Sequence, residues 1–311
     1  MIDLALILGA IALATLGGEA FLKSILGAAL HLRVPKMVVA TTLAAFATSS
    51  PELTVSTVAA FAGQPEIGLG DALGSNVVNI ALIFGLALLY GPVQTTRADF
   101  GRDFYLALGI PLLTLIFVLD GRIARGEALA LLAIFCIWLA STIRIALRDR
   151  EKAVAIETGE LSPGKSLLLG VLGLGALITA GNLFVSGATG VAANFGVDTY
   201  VIGVVLVAIG TSLPELVTVI LSRLRGHDEV GVGTLIGSNL FNGLAIVGVA
   251  GTIHPIAAPP EEVALTLSAG IAALLLLLPH RSGRIVRGRG VWLLLFYAGF
   301  VWATLGWLHK L

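Results

Sequence analysis

Charge is scarce in this chain. Of its 311 residues only 12% are charged and 57% are hydrophobic, where a soluble domain carries roughly twice that charged fraction. Mean hydropathy is +0.99. Cysteine is nearly absent: Cys136 stands alone within the apolar run 129–140, so it forms no internal disulfide and reads as a small packed hydrophobe. The five histidines, His31, His227, His254, His280 and His309, fall at the ends of apolar runs or between them, without the spacing of a zinc site. No base therefore neighbours Ser49, Ser50 or Ser212 to activate a nucleophile, which argues against an intramembrane enzyme. The N-terminal apolar run has no basic leader and no convincing small-residue cleavage site, so it reads as a retained helix. No motif points to a resident cofactor, to nucleic acid or to a protein partner.

What the chain has in quantity is long apolar sequence. About 20 apolar residues cross a bilayer as a helix, with every backbone polar group bonded inside the segment. Ten such spans can be drawn, at 2–30, 34–63, 67–90, 101–119, 124–147, 165–192, 198–225, 229–251, 261–279 and 289–308. The fold class expected is an all-α integral membrane protein with the bilayer as its partner. Several spans exceed a perpendicular crossing, so tilt or interruption is expected.

The interruptions are written in the sequence twice. Ala47-Thr48-Ser49-Ser50-Pro51-Glu52 recurs as Gly210-Thr211-Ser212-Leu213-Pro214-Glu215, and Gly74-Ser75-Asn76-Val77-Val78-Asn79 recurs as Gly237-Ser238-Asn239-Leu240-Phe241-Asn242, always 163 positions on. The same offset carries Gly18 onto Gly181, Gly63 onto Gly226, Gly85 onto Gly248 and Pro92 onto Pro255. Proline removes a backbone donor and disfavours helix in the residue before it, so the second and seventh spans should break there. Gly-Ser-Asn competes for backbone hydrogen bonds and should break the third and eighth. Five spans separate equivalent points, an odd number. The halves, 1–147 and 165–311, are thus expected to insert as inverted five-helix repeats joined by the charged, solvated linker 148–164.

Loop charge tests that count. Alternate loops on one side (33–36, 97–102, 144–165, 223–225 and 281–289) hold fifteen Lys and Arg; the other side holds Arg122, Arg125 and Lys310, and Lys23 lies within the first span. The positive-inside rule then puts the N-terminus outside the cytoplasm and the linker inside, in a multi-pass protein of the plasma or inner membrane. Asp99, Asp103 and Asp120 fall at span ends and read as solvated.

Glu52 and Glu215 are read as the acids deep within spans. An ionised side chain there is costly unless it faces a cavity, pairs or binds a cation, and no Lys or Arg other than Lys23 occurs at matching depth. Thr48, Ser49, Thr211 and Ser212 lie three or four residues before each glutamate, on its helix face. Ser75 with Asn79, and Ser238 with Asn242, are four apart and line one face of their spans. The proline breaks release carbonyl oxygens as well. Six to eight oxygens are what Ca²⁺ takes.

The two segments resemble the α-repeats of the calcium/cation antiporter superfamily, in its sodium/calcium exchanger branch, whose pattern is Gly-Thr-Ser-x-Pro-Glu followed by Gly-Ser-Asn. The match is close over 34–92 and 197–255. The resemblance implies exchange of Ca²⁺ for Na⁺ by alternating access. It implies that Glu52 and Glu215 bind the divalent ion with carbonyls at Thr48 and Thr211. It also implies that sodium sites draw on Ala45, Ser49, Ser75, Ala208, Ser212 and Ser238. The helices carrying Gly9, Gly17, Gly18 and Gly27, and Gly170, Gly173, Gly175 and Gly181, correspond to those that slide against the core bundle. Two departures stand out: Ala47 replaces the usual glycine, and Asn242 stands where many members carry aspartate, leaving two formal charges and not three. The alternatives are a proton-coupled exchanger of the same fold, whose first motif resembles Gly-Asn-x-x-Glu, transport of another divalent ion, and a passive channel.

Overall fold

A computed structural model of the chain describes residues 2–94, 97–149, 162–194, 208–278 and 284–308. The linker expected at 148–164 and the start of the span expected at 198–225 lie largely outside them. Among the described residues the apolar runs are helices: α1 Ile2–Leu32, α2 Lys36–Thr48, α3 Ser50–Phe61, α4 Pro65–Leu89, α5 Arg97–Phe117, α6 Arg125–Asp149, α7 Pro163–Asn194, α8 Ala208–Thr211, α9 Leu213–Leu224, α10 Asp228–Ile253, α11 Pro260–Leu277 and α12 Arg287–Leu308. Among the described residues six helices are long and apolar enough to cross a membrane: α1, α4, α6, α7, α10 and the Gly101–Asp120 stretch that begins within α5. Exposed Leu4, Leu8, Ile11 and Leu16 on α1, and Leu167, Leu168, Val171 and Leu172 on α7, form apolar surface of a kind that soluble proteins rarely leave uncovered. Cys136 joins that exposed face of α6 and is not packed inside, contrary to its sequence reading.

The residues fall into two compact units, one of Met1–Thr48 with Thr142–Thr234, the other of Ser49–Ser141 with Leu235–Leu311, so each draws on both halves of the sequence. In the first unit α1 and α7 pack along their length, around Phe21, Leu22, Ile25 and Leu177. Small residues permit this. A Cβ on Gly173 would lie 2.6 Å from the Phe21 nitrogen, and one on Gly17 2.7 Å from the Ala176 methyl. Gly9 and Gly175, expected to serve the same packing, have nothing within 4 Å of that position.

In the second unit α4 packs against α3, α10, α11 and α12. Two short antiparallel strand pairs tie its loops: β1 Val93–Gln94 with β4 Arg284–Ile285, and β2 Arg122–Ile123 with β3 Ile256–Ala257. β1 and β3 follow Pro92 and Pro255, 163 positions apart, so the duplicated sequence makes duplicated pairings.

The connections repeat too. Gly63 (φ 77°) and Gly226 (φ 75°) end α3 and α9 in the left-handed region where glycine is favoured. Each closes its helix with equivalent backbone bonds, Gln64 N–H to Ala59 C=O at 2.9 Å and His227 N–H to Ser222 C=O at 2.8 Å, a Schellman closure.

Candidate functional site

Both Thr-Ser-x-Pro-Glu segments break their helix at the same atom pattern. Ser49 (φ −86°, ψ 11°) separates α2 from α3, and Ser212 (φ −84°, ψ 9°) separates α8 from α9. The break comes one residue earlier than the pre-proline position. Pro51 and Pro214 then sit in the first turn of the following helix, where a missing N–H costs nothing. The glutamates follow at the third position. Backbone N–H groups and the helix dipole favour a negative charge there, yet Glu52 is 1% exposed and Glu215 0%. A buried carboxylate is retained only where something compensates it.

The first unit holds Ala45 and Thr48 on α2, Ala208 and Thr211 on α8, and Ser212 and Glu215 at the start of α9; α9 packs on the last turn of α2. The Thr48 hydroxyl donates back to the Ala44 and Ala45 carbonyls at 3.1 and 3.3 Å, within its own helix. Ser212 Oγ is buried without a hydrogen-bond partner among the described residues, and so is Thr218 Oγ1, three residues past Glu215 on the same face. Thr218 carried no sequence signal, because the first half has Val55 there.

The second unit brings Ser49 and Glu52, at the start of α3, to the helices carrying Ser75 and Asn79 (α4) and Ser238 and Asn242 (α10). Contrary to expectation, Gly-Ser-Asn breaks neither α4 nor α10. Both run as regular helix through Val77 and Leu240 and only then widen into π-helical turns at Val78–Phe84 and Phe241–Ile246. The asparagine amides that would compete with their own backbone are engaged by the other helix. Asn76 Nδ2 donates to the Asn239 carbonyl and Asn239 Nδ2 to the Asn76 carbonyl, both at 3.3 Å. Asn79 and Asn242 each sit one residue inside a widened turn, a distortion common at functional sites.

The pairing is not fully symmetric. Asn79 Nδ2 donates to Asn239 Oδ1 at 3.1 Å. The equivalent bond from Asn242 to Asn76 is not made: Asn76 Oδ1 and both side-chain atoms of Asn242 are buried without partners among the described residues. Ser75 Oγ and Asn79 Oδ1 share that condition. An orphaned buried polar atom costs about 1–3 kcal/mol. Several oxygens left so, on helices packed against the one that carries Glu52, are of the kind that suits a dehydrated hard cation.

Glu19 and Asp71, which the sequence reading did not single out, also lie within apolar helices. Glu19 in α1 is bonded by Arg225 (Nε to Oε1, 2.8 Å). Asp71 in α4 has its Oδ2 buried with no partner among the described residues. At the start of α10, Lys36 Nζ lies 3.3 Å from His227 Nδ1 and 3.6 Å from Glu229. Partial burial and the Lys36 charge lower the His227 pKa, against an opposing pull from Glu229. Asp103, read from sequence as solvated, accepts from Trp138 Nε1 at 2.9 Å.

The pattern of the family described as "Sodium/calcium exchanger protein" matches the chain in two stretches, residues 2–144 and 165–306. The chain belongs to that family. It is 33% identical to the putative antiporter CaxA of Alkalimonas amylolytica over 87% of this chain and 88% of that one. It is 29% identical to the sodium/calcium exchanger MaX1 of Methanosarcina acetivorans over 92% and 93%. Its fold superposes on a solved structure of the sodium/calcium exchanger from Methanococcus jannaschii with a TM-score of 0.80 and 25% identity, covering 96% of this chain and 97% of that one. As a member of the exchanger family it is a membrane protein, and the two matched stretches begin 163 residues apart, the offset of the internal repeat.

Proposed function

We propose that this chain is a secondary-active antiporter that exchanges Ca²⁺ for Na⁺ by alternating access. Its helices would form two inverted five-helix repeats in the plasma or inner membrane, with the N-terminus extracytoplasmic. Glu52 and Glu215 supply the charge for the divalent ion, with carbonyls at Thr48 and Thr211. The sodium ions use oxygens at Ala45, Ser49, Ser75, Ala208, Ser212 and Ser238, and Asn79 and Asn242 add neutral oxygens. The observation carrying this reading is the repeated buried turn: two glutamates in the first turn of a helix, each after a Ser in the same unusual conformation.

The physics of that site favours exchange over leak. Two carboxylates are balanced by one Ca²⁺ or by two Na⁺. Without a cation, two buried anions would have to cross low-dielectric protein at a cost of several kcal/mol each. The unloaded carrier therefore reorients poorly, and one ion has to replace the other. No step makes or breaks a covalent bond, and the protein acts as a carrier and not as an enzyme.

The test is ⁴⁵Ca²⁺ uptake into proteoliposomes under outward gradients of Na⁺, Li⁺, K⁺ and H⁺ compared side by side. The Na⁺ gradient is expected to drive uptake. Uptake driven by a proton gradient in the absence of sodium would replace this reading with a proton-coupled exchanger.

A further inference from the structure

Resting on the cation-transport reading, we propose that Asp71 is an accessory cation-binding carboxylate on the transport path, one helical turn before Ser75. Asp71, Ser75 and Asn79 stand four apart on α4, so they share one face, with about 6 Å of rise between neighbours. Each contributes a buried oxygen (Asp71 Oδ2, Ser75 Oγ, Asn79 Oδ1) that has no hydrogen-bond partner among the described residues. Three such oxygens in line along one helix face are a track for a cation losing its water.

The second half shows that the fold does not require an acid there. The equivalent position on α10 is Thr234, fully buried, whose hydroxyl is satisfied by the Val230 carbonyl at 2.9 Å. The duplicated helix is therefore built with a neutral residue that closes its own hydrogen bond, while α4 carries a carboxylate that does not. Nor is Asp71 held by a cation of the protein: no ion pair involves it among the described residues. An acid inside an apolar helix with neither a basic partner nor a donor is costly to keep, and a passing metal cation supplies what is missing. Asp71 lies in the second turn of α4, nearer the Pro65 end than Ser75, so it serves cations arriving from one face of the membrane. The carboxylates that travel with the ion remain Glu52 and Glu215.

The experiment uses the full chain in proteoliposomes of defined orientation, with Ca²⁺ varied separately on each face. Asp71→Asn, and Asp71→Thr as in the second half, are expected to raise the Ca²⁺ KM on one face by about 10- to 100-fold. The maximal rate should stay within about twofold and the opposite face should be unaffected. Asp71→Glu is expected to restore the wild-type value. An unchanged KM on both faces, or an equal change on both, overturns the proposal, the second because a structural defect has no side. If the wild-type protein shows no sodium-driven uptake, the antiport reading fails, and Asp71 is then judged by stabilisation of the detergent-solubilised protein by CaCl₂. A shift in the unfolding midpoint that is reduced in Asp71→Asn supports the proposal; an equal shift in both proteins overturns it.

Discussion

Asn76 and Asn239 grip each other across α4 and α10, each side-chain amide donating to the other's backbone carbonyl at 3.3 Å. The residues are 163 positions apart, so the bond joins the two copies of one motif at equivalent points. Both carbonyls lie within regular helix, which makes the clasp an addition to the helical ladder and not a replacement for it.

Replacing either partner with alanine removes one of the two bonds, while the other, which ends on a backbone carbonyl, keeps its acceptor. Asn76→Ala loses a bond without orphaning a donor and is expected to destabilise the protein by about 0.5–1.5 kcal/mol, whereas Asn239→Ala also strands Asn79 Nδ2 and should cost about 1–3 kcal/mol. The double variant should lose less than the sum, because the two bonds hold the same pair of helices in one geometry. Unfolding midpoints in detergent measure all three, and strict additivity would show that the bonds are energetically independent.

Close approach of α1 and α7 depends on specific glycines. Gly173→Leu is expected to cost about 1–3 kcal/mol or more, because its Cβ meets the Phe21 backbone, which cannot swing aside. Gly9→Leu, on the same packing pair but in open space, should change stability by no more than about 0.5 kcal/mol. Thermal unfolding of the two variants in parallel reads the difference.

How much of this was legible beforehand varied with the reach of the forces involved. The breaks at Ser49 and Ser212 follow from a local fact, the missing N–H of Pro51 and Pro214, and were placed to within a residue. The expected break at Gly-Ser-Asn failed because competition for backbone bonds is local only when no partner is near, and Asn239 is brought to Asn76 by tertiary structure. Asp71 carries no signal in sequence because its neighbours there are ordinary; only the burial of its Oδ2 without a partner sets it apart. The two-residue strand pairs joining loops about 190 and 130 positions apart left no periodic trace at all. Among the proposed ligands, spacing put Thr48 and Thr211 on the helix face of their glutamates, but the breaks at Ser49 and Ser212 interrupt the helix between them. That Thr48 spends its hydroxyl on its own helix while Ser212 does not required the structure.

The Lys36, His227 and Glu229 cluster gives the fold a pH dependence of definite sign. A histidine whose folded pKa lies below its ordinary 6.5 adds stability above that value and loses it as pH falls through the lowered one. Acidifying from about pH 7.5 to about pH 5 should therefore lower the unfolding midpoint, and His227→Gln should flatten that part of the profile. The effect is modest because the imidazole is partly solvated. A midpoint that rises on acidification would reverse the assignment.

Asn242 sets the charge balance. With two carboxylates, exchange of one Ca²⁺ for two Na⁺ moves no net charge, so uptake should not respond to an imposed potential. Asn242→Asp adds a third carboxylate and allows a third sodium, making exchange electrogenic, with about 2.3 kcal/mol per 100 mV acting on the net charge moved. Valinomycin-clamped potassium potentials across the proteoliposome membrane distinguish the two proteins. A wild-type response as strong as that of Asn242→Asp would place a third balancing charge elsewhere.

The central claim is that Glu52 and Glu215 together hold the transported cation. Its most direct test is sodium-gradient-driven ⁴⁵Ca²⁺ uptake by wild-type, Glu52→Gln and Glu215→Gln proteins reconstituted at equal density. Uptake is expected in the wild type and should fall to the protein-free background in each variant. Uptake at the wild-type level in either variant would contradict the assignment of that glutamate to the site.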